Sequence, residues 1–510
     1  MSESRKVSAG RNVGYGLAAK LILTILEFFT RMLFIEYLGE EMLGINGVFK
    51  NIIQVLSLAE LGMTNVVNFS FYKPLAENDE RKLSALIGFY KSVYNGIALS
   101  VLAIGLCLLP FLDSIINTEV PVDNLHFIYL LFLAQTVCSY LFVYKASLMR
   151  ADQKGYILTK YEIVANVITV AAQIVAIWAL RSIYVYVGIS VVYTFLMNLV
   201  WAKRADREYP YLRNRREKLD RKEKLEIANT IKSGFIYKVS GILLNSTDNI
   251  LISMIVGTVW VGYLANYDSL MLSISVFYSI LFTSMTASIG NLVASESKEK
   301  RYEIFRIMMC ISGWMAIVVS ACFFTLSADF ITIWLGEHYV LAPTTVLPKA
   351  IMIFLSCMLQ PVFCYREATG LYRNIKYVML LSAIINIVLS IALGYLWGMA
   401  GILLASLVAM GSTYLWYEPM ILYRNCFGVS VKRYYFVFIR NLVLVVAAMV
   451  SMYYVSALVP ATNLVMWVVK AVIMFCAINV FCFCIYGRTE EFKAVKSLVM
   501  EGLSKWRKKA

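Results

Sequence analysis

The chain has 510 residues, of which 60% are hydrophobic and 15% are charged, and its mean hydropathy is +0.70. Soluble domains are on average about half apolar and about a quarter charged, so this composition excludes a water-soluble globular protein. The formal net charge is +15, but the basic residues are spread over many short segments instead of one patch, so the sequence predicts no nucleic-acid partner.

Apolar runs of roughly twenty residues, long enough to cross a hydrocarbon layer of about 30 Å, follow one another along the chain. They are continuously apolar and lack the alternation of barrel strands, so we interpret them as helices. The first six predicted spans cover residues 14–36, 43–71, 85–110, 124–147, 157–180 and 183–202. After a charged segment, eight more cover residues 231–256, 260–292, 303–327, 344–368, 376–397, 399–423, 434–458 and 463–486. The predicted fold class is therefore an all-α polytopic membrane protein with about fourteen transmembrane helices.

Lysine and arginine concentrate in alternate connections between the spans. Positively charged short loops stay in the cytoplasm, so both termini are predicted to be cytoplasmic. The basic side carries Arg5, Lys6, Arg11, Lys73, Arg81, Lys82, Arg150, Lys154, the segment 203–224, Lys298, Lys300, Arg301, Arg366, Arg373, Lys376, Arg424, Lys432, Arg433 and the segment 505–509. The opposite side offers little beyond Arg181 and Lys349 and is otherwise acidic.

The two halves of the chain are similar to each other. A shift of 218 residues aligns four pairs without a gap: Gly39 with Gly257, Gly44 with Gly262, Phe49 with Tyr267 and Lys50 with Asp268. Glycines at two helix hairpins could coincide by chance, but the charged loops that follow, 78–82 and 297–301, also coincide within one residue. We interpret the pattern as two six-helix lobes in parallel pseudo-repeat, with two additional C-terminal helices.

This repeat predicts the domain boundaries. Residues 1–205 form an N-terminal lobe of six spans, residues 206–230 a charged cytoplasmic linker, and residues 231–425 a C-terminal lobe with spans seven to twelve. Residues 426–486 contain spans thirteen and fourteen, and residues 487–510 form a basic tail. In the tail Phe492, Val495, Val499, Leu503 and Trp506 share one helical face, which predicts either an amphipathic helix on the inner leaflet or a solvated tail.

Several polar side chains lie inside predicted spans, where a charge costs at least ~2.5 kcal/mol and normally serves function. Three are cationic, Arg31, Lys50 and Lys238, and we predict that they line a water-filled cavity and bind an anionic group of the cargo. A guanidinium suits phosphate because its planar donors can contact two oxygens at once. Further candidates for the cavity or for coupling are Glu27, Glu60, Asn245, Asp248, Asn249 and Asp268.

The alternative is that these groups form structural ion pairs between packed helices, for instance Arg31 with Asp248 or Lys50 with Asp268. A purely structural seam would favour small residues with few charges. The whole set therefore favours a cavity, whereas each single residue could serve either role.

Enzymatic chemistry is not predicted. The chain contains only two histidines, His126 and His338, and lacks a glycine-rich phosphate-binding motif. The ten cysteines lie mostly in apolar spans without zinc-like spacing, so we interpret them as packing residues. No metal site and no cofactor are expected.

Two stretches resemble a known family, the Wzx-type polysaccharide flippases of the multidrug/oligosaccharidyl-lipid/polysaccharide exporter (MOP) superfamily. One is the segment 31–83, with an Arg-bearing first helix, a Leu-Gly turn and a glycine-punctuated second helix. The other is the segment 365–409, which includes Asn386 and a turn at Gly398 and Gly401. The resemblance extends loosely over nearly the whole chain, and its markers are specific for the family but weak for the cargo.

The resemblance implies a transporter of a bacterial cytoplasmic membrane that flips undecaprenyl-pyrophosphate-linked oligosaccharide to the outer leaflet by alternating access, for cell-surface polysaccharide biosynthesis. It assigns the family's usual cavity arginine to Arg31. Implied partners are the lipid-linked oligosaccharide, membrane lipids, and polysaccharide polymerase and chain-length machinery. Two other functions remain open: a cation-coupled multidrug exporter of the same superfamily, whose cavity should be acidic or aromatic, and a scaffold in envelope assembly that transports nothing.

Overall fold

The computed structural model describes residues 26–57, 67, 70–72, 74–75, 77–118, 122–152, 154–212, 219–369 and 371–507. Among these residues there are helices and connecting segments but no β-strand. The helices are α1 (26–38), α2 (Glu40–Leu56), α3 (Glu80–Leu108), α4 (Leu125–Tyr140), α5 (Val143–Ala151), α6 (Gly155–Val175), α7 (Ile183–Glu208), α8 (Arg221–Ile255), α9 (Thr258–Ser295), α10 (Lys298–Leu335), α11 (Pro343–Thr369), α12 (Tyr372–Ser412), α13 (Tyr414–Leu422), α14 (Lys432–Ala457), α15 (Leu464–Tyr486) and α16 (Glu490–Arg507).

These helices confirm the predicted all-α polytopic class. Within the described part of the chain, nine helical segments are long and apolar enough to cross a membrane, or ten if the pair α4 and α5, bent by 44°, is one span. One of the nine, Ile375–Phe427, contains two predicted spans, which are separated by the non-helical residue Gly398 (φ 60°). The first and second predicted spans lie partly outside the described residues, and the seventh coincides with α8, whose apolar part is Val239–Ile255.

Large apolar side chains cover the outer faces of several of these helices. Tyr395 on α12, Tyr454 on α14 and Val465 on α15 are 76%, 69% and 74% exposed. Soluble proteins rarely expose apolar surface on this scale. Lipid chains would cover these faces in a membrane, as the hydropathy pattern predicts.

The chain divides into two compact units, residues 1–262 and residues 263–510. In the first unit α2 packs against α4 and α8, and α4 packs against α7. Phe49 of α2 is fully buried against Tyr129, with ring centroids 5.4 Å apart. In the second unit α10 is central and packs against α11, α14 and α15. The seventh helix, α8, thus belongs to the first compact unit, and the lobe boundaries given above stay predictions.

The glycines that suggested a duplication have matching local structure. Gly39 and Gly257 both have positive φ, 86° and 132°, immediately before α2 and α9. Gly44 and Gly262 lie one turn into these helices, where the two backbones touch: a Cβ on Gly262 would be 3.0 Å from the carbonyl oxygen of Glu40, and a Cβ on Gly44 would clash with the carbonyl of Thr258. Only glycine permits so close an approach.

The predicted linker is more helical than its charge pattern indicated. α7 continues to Glu208, and Asp220 caps α8, whose third residue Glu223 completes a capping box. Glu223 also forms an ion pair with Lys82 at the start of α3. A capping box satisfies backbone N–H groups that would otherwise lack a partner, so α8 begins about ten residues before the predicted span.

Candidate substrate-binding site

The helices α1, α2 and α7 bring three of the predicted cavity residues together. Arg31 and Glu27, one turn apart on α1, both lie within electrostatic reach of Lys50 on α2. Tyr186 of α7 lies close to Arg31 and Glu27, and its ring packs edge-on against Phe34, with centroids 5.2 Å apart. We call Glu27, Arg31, Lys50 and Tyr186 the cationic cluster.

The cationic cluster is accessible from outside the protein. Lys50 and Glu27 are exposed and Arg31 is half-buried, although protein atoms surround Lys50 densely. A side chain that is both accessible and densely surrounded lines a crevice. The cavity stays a prediction, and the accessible placement of these side chains is compatible with it.

The charge of the cluster favours an anionic ligand. Two cations and one carboxylate leave a formal charge of +1, and the like charges of Arg31 and Lys50 destabilise each other at close range. A phosphate or pyrophosphate group would relieve this repulsion and accept hydrogen bonds from both side chains. An organic cation would add to the repulsion.

The seventh helix carries another acidic residue of the predicted set. α8 packs directly against α2, and on it Asp248 is buried and Asn249 half-buried. The side chains of Lys238 and Asn245 on the same helix, and the whole of Glu60, lie outside the described part of the structure. Their proposed roles stay predictions.

Asp268 is different, because it forms an ion pair within the second unit. Its carboxylate accepts a hydrogen bond from the Nζ of Lys349 at 2.7 Å. Lys349 was predicted to lie on the outer side, and its pairing with Asp268 was not predicted from the sequence. Lys50 and Asp268 align in the repeat, so one position carries a cation in the first half and a paired acid in the second.

Two other ion pairs that involve buried charges were missed from the sequence. Arg366 at the end of α11 donates to both carboxylate oxygens of Glu418 on α13, at 2.9 Å each, and both residues are buried. Lys470 on α15 binds Asp329 on α10 at 2.7 Å. The available signal was a lone charge in a long apolar run, at Glu418 and at Lys470. A buried cation that has an acidic partner needs no ligand, so we assign both pairs to structure.

Comparisons with known proteins identify the fold. No family model and no curated protein matches the chain. Among solved structures, the lipid II flippase MurJ in an inward closed conformation is similar with a TM-score of 0.67 at 14% identity, covering 92% of this chain and 98% of that chain. An inward-facing MATE-family multidrug resistance transporter of the MOP superfamily has a TM-score of 0.52 at 14% identity and covers 78% and 94%. A mutant of the Vibrio cholerae MATE transporter VcmN has a TM-score of 0.55 at 14% identity and covers 80% and 95%.

These similarities show that the chain has the fold of membrane flippases and transporters of the MOP superfamily. None of the three structures is that of an enzyme. At 14% identity the similarity shows the fold of this chain and does not show which substrate it transports.

Proposed function

We propose that this protein flips undecaprenyl-pyrophosphate-linked oligosaccharide units from the inner to the outer leaflet of a bacterial cytoplasmic membrane by alternating access. The observation that carries the proposal is the cationic cluster, in which Arg31 and Lys50 lie together in an accessible crevice. A pyrophosphate needs a polar path across the membrane, whereas its polyprenyl tail can remain in lipid. The fold is similar to that of MurJ, a lipid II flippase, and is therefore compatible with a lipid-linked cargo without selecting it.

The mechanism follows from electrostatics. Arg31 and Lys50 bind the pyrophosphate by charge-assisted hydrogen bonds, and the alternating openings of the cavity expose it first to one leaflet and then to the other. No covalent step is required. An inside-negative membrane potential favours outward movement of an anion by ~2.3 kcal/mol per charge per 100 mV. With both termini cytoplasmic, product would be delivered to the polymerase and chain-length machinery on the outer side.

Lipid II itself is the second candidate cargo, because MurJ is similar over 98% of its own length. A cation-coupled multidrug exporter is the third candidate, because the MATE structures share the fold. The residues of the cationic cluster disfavour the exporter, since a site for organic cations should carry an excess of acidic or aromatic groups.

The test is translocation of a fluorescent polyprenyl-pyrophosphate oligosaccharide in proteoliposomes, with lipid II and an organic cation as alternative cargoes. We expect wild-type protein to move the oligosaccharide, and Arg31→Gln and Lys50→Gln each to lower the initial rate at least about tenfold, the effect of losing one charge-assisted hydrogen bond. Lys203→Gln removes an exposed charge at the end of α7 and serves as the control with an unchanged rate.

Each alternative has a distinct outcome. Movement of lipid II alone assigns that cargo, and movement of the organic cation alone assigns drug export. A protein that moves none of the three cargoes, or whose Arg31 and Lys50 variants retain the full rate, contradicts the proposal.

A further inference from the structure

A second charged cavity lies in the other compact unit, far along the chain from the cationic cluster. It has a volume of about 200 Å³ and is formed by α10, α14, the segment after α13 and the junction of α15 with α16. A single buried water needs only roughly 10–15 Å³, so this cavity can hold a polyatomic group. Its described lining includes Tyr302, Phe305, Tyr423, Tyr434, Phe436 and Tyr486.

Three arginines and one carboxylate line this cavity. Arg306 lies on α10, Arg433 and Arg440 on α14, and Glu491 on α16. Glu491 is the only acidic side chain among the described lining residues, so three positive charges and one negative charge give +2. An excess of guanidinium groups in an aromatic cavity is suited to a phosphate.

The arginines already bind oxygen atoms in the way a phosphate would be bound. Arg306 donates through Nε to Glu491 Oε1 at 2.9 Å and through a second nitrogen to the same oxygen, and Arg433 lies 3.7 Å from that oxygen. Arg440 donates to the amide oxygen of Asn441 at 3.3 and 3.2 Å and lies over the ring of Tyr486. The Glu491 carboxylate therefore takes the place that one anionic oxygen of a phosphate could take.

The cavity opens towards the lipid-facing side of α14. Phe436 lines it and is 70% exposed, and two turns further along the same helix Val443 is 62% exposed. These side chains form an apolar strip that leads away from the arginines towards the membrane core. A free inorganic anion would make no apolar contact with this strip, whereas the acyl chains of a lipid could lie on it.

The arginines lie at a distance from the ends of their helices that suits a lipid headgroup. Arg306 comes eight residues after Lys298, the first residue of α10, and Arg440 eight residues after Lys432, the first residue of α14. At 1.5 Å per residue each lies about 12 Å from the end of its helix. Both helices begin on the side of the basic loops, and an arginine near a helix end extends its charged group to the interface.

From this geometry we infer that the cavity binds the phosphate group of an anionic phospholipid from the leaflet on the basic-loop side. Arg433 and Arg440 hold the phosphate oxygens, the tyrosines enclose the headgroup, and the acyl chains lie along Phe436 and Val443. Glu491 competes with the phosphate for Arg306 and Arg433. The site lies outside the cationic cluster and does not depend on the cargo proposed above.

The test is thermal unfolding of the full-length protein in neutral detergent, titrated with phosphatidylglycerol, phosphatidylcholine or inorganic phosphate. Phosphatidylglycerol is expected to raise Tm in a saturable way, and the other two are expected to have little effect. The double variant Arg433→Gln/Arg440→Gln should raise the phosphatidylglycerol concentration at half-maximal shift at least about tenfold.

The control is Arg424→Gln/Lys432→Gln, which removes two exposed charges from the same connection and from outside the cavity lining. It should titrate like wild type. Glu491→Gln removes the competing carboxylate and should lower the half-maximal concentration, a gain that a misfolded protein could not produce.

Equal shifts with phosphatidylcholine, or equal titrations of the two double variants, would overturn the inference. Equal protection by inorganic phosphate would replace the lipid with a free anion. If Arg433→Gln/Arg440→Gln does not fold, the Glu491→Gln variant decides the question. A half-maximal phosphatidylglycerol concentration for Glu491→Gln that is equal to or higher than that of wild type overturns the inference.

Discussion

At the scale of single residues, charges inside this membrane protein belong to two kinds of environment. Arg366 and Glu418 form a close, buried pair of opposite charge, and the buried Lys470 pairs with the partly exposed Asp329. Arg31 and Lys50 instead place two like charges next to each other in an accessible crevice. A buried pair of opposite charges is neutral as a whole, whereas Arg31 and Lys50 together with Glu27 keep a formal charge of +1, which favours binding of an anion.

The buried pair makes a testable prediction for stability. Glu418→Gln should destabilise the protein by about 3–5 kcal/mol, because it leaves the Arg366 charge buried without its carboxylate partner. The double variant Arg366→Met/Glu418→Leu should be less destabilised than the single one, because it removes both charges. Denaturant unfolding in detergent measures the difference.

A surface pair serves as the control for this prediction. Lys300 and Glu303 are joined at 2.8 Å and both are largely exposed, so Glu303→Gln should leave the free energy of unfolding unchanged. A Glu418→Gln protein as stable as wild type would contradict the structural role of the pair.

At the scale of helices, the crossing of α2 and the start of α9 depends on glycine. A Cβ at Gly44 would meet the backbone of Thr258, which cannot move aside like a side chain. Gly44→Ala should therefore cost about 1–3 kcal/mol, as overpacking does. Gly88→Ala on α3 meets nothing within 4 Å and should be neutral or slightly stabilising. Equal Tm values for the two variants would show that the close approach is not tight.

The C-terminal helix α16 is docked through its first turn. Glu491 binds Arg306 and Arg433, and Phe492 stacks on Trp314 with centroids 5.3 Å apart. The sequence left two alternatives for this segment, an amphipathic helix with Phe492 on its apolar face or a solvated tail. Its attachment to α10 was not predicted, because the partners Arg306 and Trp314 are more than 170 residues away in the chain.

This docking should depend on pH. Partial burial works against ionisation of Glu491, but the hydrogen bonds from Arg306 and from the backbone, together with the charges of Arg306 and Arg433, outweigh it and lower the pKa of the carboxyl below its usual range. The pair therefore stabilises docking fully above the ordinary glutamate pKa, and this contribution is lost as the pH falls through the lowered value.

Hydrogen exchange of the α16 amides measures this effect. The α16 amides of the wild-type protein are expected to be more protected at neutral pH than in acid. At neutral pH, Glu491→Gln should be less protected than wild type. The stacking of Phe492 on Trp314 is unaffected by pH, so some protection should remain. Equal protection of wild type and Glu491→Gln at neutral pH would show that the ion pair does not hold the helix.

Helix positions were largely predictable, whereas helix partners were not. The apolar runs located the spans because lipid requires continuous hydrophobicity over a fixed length. The break at Gly398 was expected from its glycine, and the bend after Tyr140, where Phe142 has φ 67°, was not, because no glycine or proline marks it. Lys349 could not be assigned to Asp268 from sequence because that contact depends on tertiary packing.

At the scale of the whole molecule, the sequence pattern and the structure agree on an all-α polytopic membrane fold. The shift of 218 residues predicted a duplicated unit, and Gly39 and Gly257 share the positive φ that this predicts. The MOP fold accommodates both flippases and drug transporters, so the fold alone does not choose a cargo. The choice rests on the charge of the cationic cluster.

The most direct test of that choice compares two cargoes that differ in the linkage between sugar and lipid, which is charged in one and neutral in the other. The same fluorescent oligosaccharide is attached to a polyprenyl chain either through pyrophosphate or through a neutral glycosidic bond, and the initial flipping rates are measured in proteoliposomes. We predict that the pyrophosphate-linked form moves at least about tenfold faster, and that Arg31→Gln/Lys50→Gln abolishes the difference. Equal rates for the two forms in the wild-type protein would contradict the claim that the cationic cluster recognises the pyrophosphate.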